Sequence, residues 1–295
     1  MAKLVDLAKP YCVKGGAKYR LRDFDPTDTG PFRSKDRAIR ALELGLAQLR
    51  DLQNKLYSQE HWAVLLIFQG MDASGKDGVI AHVMSGVNPQ GCQVYSFKAP
   101  SGEELSHDYL WRAVIRLPER RRIGIFNRSY YEEVLVVRVH PNLLENEKIP
   151  PSLITPEIWK ERFEDIRGFE RYLTRNGIAV RKFFLHISKH EQVKRFLERL
   201  QQPEKNWKLS ASDLHEREHW DEYMKAYEDV VRNTATDAAP WYVVPADHKW
   251  FARVIVASAV VGTLAQLALD FPALNQQRRA ELDEIRKILE LELQE

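Results

Sequence analysis

Cysteine is nearly absent from this 295-residue chain, which has only Cys12 and Cys92. Two thiols supply neither a disulfide framework nor a cysteine-rich zinc site, and they suit a reducing cytoplasm. Long apolar runs are missing as well. The longest, residues 63–68 and 254–261, fall far short of the ~20 residues that span a bilayer, so no membrane partner is expected. The opening Met-Ala-Lys-Leu-Val-Asp sets an acid where a secretory leader would need an apolar stretch. Net charge is also slight, since 44 Lys+Arg against 42 Asp+Glu leaves +2. What is present, 44% hydrophobic and 29% charged residues, is the balance of a folded chain and excludes a disordered one.

The small total hides an uneven distribution. Residues 167–208 hold eleven Lys/Arg against four Glu, or +7, and residues 112–138 hold seven Arg against three Glu, or +4. The tail, residues 270–295, offsets them with seven acids against four bases, or −3. Any one of these charges reads most simply as part of a solvated helix face. The excess as a whole points to an anionic partner. Sign alone does not choose among nucleic acid, nucleotide and polyanion.

Residues 1–32, punctuated by Pro10, Gly15, Gly16, Pro26, Gly30 and Pro31, read as an irregular arm. Ile39, Leu42, Leu46, Leu49, Leu52 and Leu56 recur at steps of three and four and predict a helix over 34–57. Ala-Val-Leu-Leu-Ile-Phe at 63–68 is too short for a buried helix and apolar on both faces, as a central parallel strand must be. Further strands are predicted at 93–97, 123–126, 178–187 and 241–244, and helices at 189–200, 215–232, 249–269 and 276–293. Ser101-Gly-Glu-Glu104 reads as a capping box, and Thr155-Pro156 as an N-cap followed by proline. Strands alternating with helices predict an α/β fold with a mostly parallel sheet covered on both faces. No repeat, low-complexity tract or linker divides the chain, so one domain over 1–295 is expected.

Between the first strand and the next helix runs Gly70-Met-Asp-Ala-Ser-Gly75-Lys76-Asp77-Gly78, a G-x-x-x-x-G-K loop in its proper strand–helix context. Its glycines let successive N–H groups turn inward on phosphate oxygens, and the helix adds its positive end. Lys76 then neutralises charge on the terminal phosphates. A plain strand-to-helix turn with a solvent lysine is the simpler reading, and the flanking elements count against it. Two departures sharpen the loop. Asp77 stands where Ser or Thr usually holds Mg²⁺, and Asp72 lies inside the cradle. Two acids beside a phosphate site repel the ligand unless cations intervene. Carboxylate and phosphate oxygens form a hard-ligand set, so Mg²⁺ is expected on Asp72, with Asp77 as a further candidate.

The strand at 123–126 ends in Asn127-Arg128-Ser129-Tyr130-Tyr131-Glu132-Glu133. Arg128, at the carboxyl end of a parallel strand, falls on the ligand-binding edge of the sheet, and its planar fork suits phosphate. Glu132 is a candidate second metal carboxylate. The competing reading is an ordinary Arg–Glu surface pair, which the glycine loop disfavours. Trp159, Phe163, Ile166, Phe169 and Leu173 keep helical spacing and read as core. One of Trp207, Trp220 and Trp241 is a candidate to stack on a base. The nine histidines show no metal-ligand spacing, and His186 reads as a satisfied core residue.

With these motifs in order, the chain resembles the type 2 polyphosphate kinases, P-loop kinases related in fold to thymidylate kinase. The matching segments are the glycine loop, Gly86-Val-Asn-Pro-Gln-Gly91, Ser106-His-Asp-Tyr-Leu-Trp-Arg112, Ile125-Phe-Asn-Arg-Ser-Tyr-Tyr-Glu132, Lys182-Phe-Phe-Leu-His-Ile-Ser-Lys189, Asn206-Trp-Lys208 and Ala239-Pro-Trp-Tyr-Val-Val-Pro-Ala-Asp247. The resemblance implies a three-layer α/β/α sandwich with a mostly parallel central sheet, a basic lid at 203–217 and a C-terminal helix at 274–295. It implies reversible phosphoryl transfer between inorganic polyphosphate and a nucleoside diphosphate, ADP or GDP becoming ATP or GTP, with Mg²⁺ or Mn²⁺. It also implies a homo-oligomer, dimer or tetramer. Carried over by position, Asp72, Lys76, Arg128 and Glu132 are catalytic, and Asp72, Asp77 and Glu132 hold metal. Gly70, Gly75, Lys76, Gly78, Arg112, Lys205, Lys208 and Arg217 bind nucleotide or polyphosphate. Glu133, at a position that varies in the family, receives no catalytic role.

The implied chemistry suits the residues. Polyphosphate offers no base to read and needs a basic track, and an acceptor phosphate already ionised needs no strong general base. Two other functions compete. An ATP-dependent nucleoside or nucleotide kinase of the same fold shares the loop, but Asp77 and the amount of basic sequence count against it. A nucleic-acid-binding protein would use the basic faces, but no standard motif is present, so no nucleic acid partner is expected.

Overall fold

A computed structural model of the chain describes residues 4–294. Its first half holds β1 (Cys12–Val13), α1 (Lys35–Ser58), β2 (Ala63–Gln69), α2 (Lys76–Val83), β3 (Cys92–Ser96), α3 (Trp111–Val114), β4 (Ile123–Asn127) and α4 (Val136–Val139). The second half holds α5 (Ile158–Arg175), β5 (Ile178–His186), α6 (Lys189–Leu200), α7 (Ala211–Glu218), α8 (Trp220–Thr234), β6 (Trp241–Pro245), α9 (Lys249–Gln266) and α10 (Gln276–Glu292). The six strands lie in the order β1-β6-β5-β2-β4-β3. Every neighbouring pair is parallel except β1–β6.

All seven residues of β2 are buried, as its two-faced apolar sequence requires of a strand between β4 and β5. Helix α1 packs on α9, and α5 packs on β5 and α8, giving the helical layers of an α/β/α sandwich. The chain passes from β2 to β3 and β4 on one side, then to β5 and β6 on the other. A crevice therefore opens at the carboxyl ends of β2, β4 and β5, where ligands of such sheets bind. Among the described residues, no helix is long and apolar enough to cross a membrane.

Three expectations need correction. The arm is not irregular throughout, because β1 pairs antiparallel with β6 and Leu7, Ala8, Tyr11, Val13, Tyr19 and Leu21 are buried. Isolated anchors in short 3-10 turns leave no periodic signature. The helix expected over 215–232 is two helices divided at His219. Helix α7 buries nothing, whereas α8 buries Trp220, Tyr223, Tyr227 and Val230, so the core-facing periodicity starts at Trp220. The Ser101–Glu104 box forms, with Glu104 Oε2 accepting the Ser101 N–H at 2.7 Å, yet it starts only a 3-10 turn, Glu104–Ser106.

Candidate active site

The glycine loop turns as its sequence requires. Gly70 and Gly75 have φ of +154° and +102°, and a Cβ on Gly70 would lie 2.7 Å from Ser74 Oγ and 2.9 Å from the Leu185 carbonyl. Helix α2 begins at Lys76, directly after the loop, with Gly78 in its first turns. Arg195 of α6 clamps the loop from outside, its Nη1 donating to the Ala73 and Ser74 carbonyls at 2.9 and 3.0 Å. Its Nη2 donates to the Ala246 and Asp247 carbonyls beyond β6, at 2.5 and 3.0 Å. Arg195 is one of the eleven basic residues of 167–208. It is buried, and it joins two loops.

Lys76 is folded back into the loop, donating to the Gly70 carbonyl at 2.6 Å and the Met71 carbonyl at 3.2 Å. Burial, then the nearby Arg128 charge, pushes its pKa down to about 8, against the pull of Asp72, Glu132 and Asp77. Arg128, in a left-handed turn of φ +63° after β4, spreads its fork between two carboxylates. Nη2 lies 2.7 Å from Asp72 Oδ1 and Nη1 lies 3.0 Å from Glu132 Oε2. Glu132, then Asp72, holds the guanidinium above its ordinary pKa despite burial. Gln69, the last residue of β2, donates to the other Glu132 oxygen at 2.8 Å. The four expected catalytic residues are thus brought together.

The other expected residues divide. Asp77 accepts from Asn127 Nδ2 at 2.8 Å and from Lys208 Nζ at 3.3 Å, which brings Lys208 to the loop. Burial pulls the Asp77 carboxyl upward, but these two hydrogen bonds together with the charges of Lys208 and Lys76 outweigh it and hold it below its ordinary value. Arg217 donates to Gln192 Oε1 at 2.7 Å, and Gln192 donates to the Asp72 carbonyl at 2.9 Å, so Arg217 meets the loop through an intermediary. Lys205 is not brought in; it bonds Gln202 on the exposed turn. Arg112 is buried, donating to the Lys98 carbonyl at 2.8 Å and pairing with Glu133 at 3.4 Å. Among the described residues, no three His, Cys, Asp or Glu side chains converge as a ready metal cage.

Asp72, Arg128 and Glu132, with Gly70 and Met71 of the loop, line a cavity of about 770 Å³. Phe97, Leu105, Tyr109, Val137 and Ile149 give it apolar walls, and Arg112 and Glu133 line it as well. A phosphate-sized anion at the loop and a larger molecule in the cavity would therefore meet at Arg128. Of the tryptophans weighed for stacking, Trp220 and Trp241 are buried in the core and Trp207 is 78% exposed. Contrary to expectation His186 is not satisfied, since Nδ1 finds no partner among the described residues and burial pushes its pKa down to about 4.

Residues 33–271 match the model of the family described as polyphosphate kinase 2. The chain belongs to the polyphosphate kinase 2 family. It is 51% identical over 95% of its length to a protein of Rhodopseudomonas palustris named ADP-polyphosphate phosphotransferase, of which it covers 98%. It is 44% identical over 90% of its length to a Meiothermus ruber protein named AMP/ADP-polyphosphate phosphotransferase, covering 95% of that chain. The crystal structure of polyphosphate kinase 2 from Arthrobacter aurescens superposes with a TM-score of 0.86, at 38% identity, covering 95% of this chain and 96% of the other.

In this polyphosphate kinase 2 family member, the turn carrying Arg128 and Glu132 rests on a buried charged group that sequence reasoning missed. Tyr130 and Tyr131 donate their hydroxyls to Glu170 Oε1 at 3.0 and 2.7 Å, and Lys182 Nζ lies 2.6 Å from Glu170 Oε2. Lys182 also donates to the Thr234 carbonyl at 2.8 Å. Burial pulls the lysine's pKa down, and Glu170 opposes the shift. The signal was slight: a lone Lys in an apolar strand needs a buried acid. Glu170→Gln leaves that lysine uncompensated, and breaking such a pair costs about 3–5 kcal/mol. Its thermal melt is expected to fall by roughly 6–10 °C. The paired change Glu170→Leu with Lys182→Met should recover most of the loss. A single variant melting within about 2 °C of the parent would show that the pair contributes little.

Proposed function

We propose that this phosphotransferase moves phosphoryl groups between inorganic polyphosphate and a nucleoside diphosphate, ADP or GDP, giving the triphosphate and a polyphosphate shorter by one unit. The observation that carries the reading is that Gly70, Met71 and Asp72 of the glycine loop also line the cavity. The glycine loop with Lys76 suits the end of a polyphosphate chain. The cavity lined by Asp72, Arg128 and Glu132 suits an acceptor whose phosphate faces that end. Lys76 and Arg128 neutralise charge on the transferring group, and Lys208, paired with Asp77, extends positive charge from the 203–217 lid towards incoming phosphates. The names of the two relatives above support an adenine nucleotide as acceptor.

A divalent cation, Mg²⁺ or Mn²⁺, belongs to this reading, and the donor set fits it. Asp72 Oδ2 takes no hydrogen bond from a described residue, and Asp77 and Glu132 offer further hard oxygens close to the loop. Mg²⁺ normally takes one or two protein carboxylates and fills its shell with water and phosphate oxygens, so a full protein cage is not needed. When bound, such an ion supplies positive charge at the phosphate oxygens. We read residues 1–295 as one catalytic unit working in the cytoplasm, where the free thiols Cys12 and Cys92 are at home. The test is a panel of AMP, ADP, GMP and GDP with polyphosphate and Mg²⁺ but no ATP. ATP and GTP should form from the diphosphates. Nucleotide products that require ATP as donor would instead make the chain an ordinary nucleotide kinase.

A further inference from the structure

Ala73 sits in the glycine loop at φ +60°, a left-handed backbone that glycine adopts freely and alanine does not. Such a residue persists only where its surroundings hold it. Here the peptide carbonyls on either side of it are both tied to helix α6. Gln192 Nε2 donates to the Asp72 carbonyl at 2.9 Å, and Arg195 Nη1 donates to the Ala73 carbonyl at 2.9 Å. A trans peptide sets its C=O and the following N–H on opposite sides, so these bonds turn the Ala73 and Ser74 N–H groups away from α6. Asp72 is also the residue whose carboxylate meets Arg128 at 2.7 Å.

The two braces differ in what stands behind them. Arg195 reaches only backbone carbonyls and its own helix neighbour Glu191. Gln192, 1% exposed, uses its amide twice: Nε2 holds the loop while Oε1 accepts from Arg217 Nη1 at 2.7 Å. Arg217 belongs to the stretch 203–217, which buries no side chain. Polar bonds hold that stretch, among them Lys208 to Asp77 and Arg217 to the Lys189 carbonyl at 2.9 Å, so it opens more readily than the core. When it lifts, Gln192 Oε1 is left buried without a donor, which is costly. The two amide atoms share one planar group, so a turn of the amide towards another donor withdraws Nε2 from the Asp72 carbonyl. We propose that Gln192 is a positioning residue that fastens Asp72 and the strained turn at Ala73 while Arg217 is seated on it. The loop is then set for transfer only when the 203–217 stretch lies against α6.

The test follows two readouts in the full chain, turnover with polyphosphate and ADP and amide hydrogen exchange of the loop. Only the first rests on the phosphotransfer reading above. Gln192→Met keeps the length and loses both bonds, and kcat should fall by about 10–10²-fold. The KM for polyphosphate should stay within about threefold of the parent. Gln192→Glu still accepts from Arg217 but offers no amide donor to the Asp72 carbonyl, so its kcat should be as low. Arg217→Met should speed exchange across residues 70–76 by about tenfold, although Arg217 bonds none of them. The double variant Gln192→Met with Arg217→Met should be no worse than the poorer single one in either readout. Arg217 lies off the core, so its variant keeps the test open should Gln192→Met fold poorly. Recovery of kcat in Gln192→Glu, or unchanged loop exchange in Arg217→Met, overturns the proposal. So do losses that multiply in the double variant, the result a direct phosphate contact by Arg217 gives. A parent that uses ATP but not polyphosphate fails the earlier reading, and the exchange readout still decides this one.

Discussion

Lys76→Met is expected to lower polyphosphate-driven turnover by about 10²–10³-fold, the loss that follows removal of one transition-state donor. The same change should leave the fold at least as stable as before. Burial holds the Lys76 pKa near about 8 against an ordinary 10.5. Between those values the unfolded chain carries a proton that the folded chain lacks, so stability rises with pH across that window. Below it, the charged lysine costs the fold on the order of 3 kcal/mol. Its hydrogen bonds to the Gly70 and Met71 carbonyls satisfy two of its donors, and a phosphate bound in the loop is expected to offset more of that cost. Methionine fills the same space without charge, so the melting temperature should hold or rise by roughly 2–5 °C near neutral pH. Turnover within tenfold of the parent, or a melt several degrees lower, would sink this account.

The parts of the fold that came through the sequence are those where one local pattern has one structural meaning. β2 is apolar on both faces, and only a central strand buries both. The glycines of the loop must adopt positive φ, and Gly70 and Gly75 do. What failed to come through is long-range. The break at His219 depends on where α8 meets the core, not on any breaker residue. β1 exists because two residues reach β6, more than two hundred positions away.

Charge counting misled for a related reason. Lys182 and Arg195 both belong to the +7 segment, yet the structure buries both, one on Glu170 and one on four carbonyl groups. A count of basic residues treats each as solvent-facing, whereas burial turns these two into braces for the turn after β4 and for the glycine loop. The basic surface left for a polyanion is therefore smaller than the sequence suggests, and Lys208 is the member of that segment brought to the loop by direct contact with Asp77.

Asp72 and Arg128, paired at 2.7 Å, are expected to act as one unit, and this gives the second large effect. Asp72→Asn keeps shape and removes charge, leaving Arg128 with Glu132 alone, and turnover should fall by about 10²–10³-fold even at saturating Mg²⁺. Arg128→Lys replaces a planar fork by a point charge that cannot span Asp72 and Glu132, set at 2.7 and 3.0 Å from separate nitrogens. A loss of about 10²-fold is expected there, mainly in kcat. The double variant should be no worse than the poorer single one, because either change already disperses the arrangement. Single losses that multiply in the double variant would show that the carboxylate and the guanidinium work separately. Near-normal turnover of Asp72→Asn at saturating Mg²⁺ would remove Asp72 from the chemistry altogether.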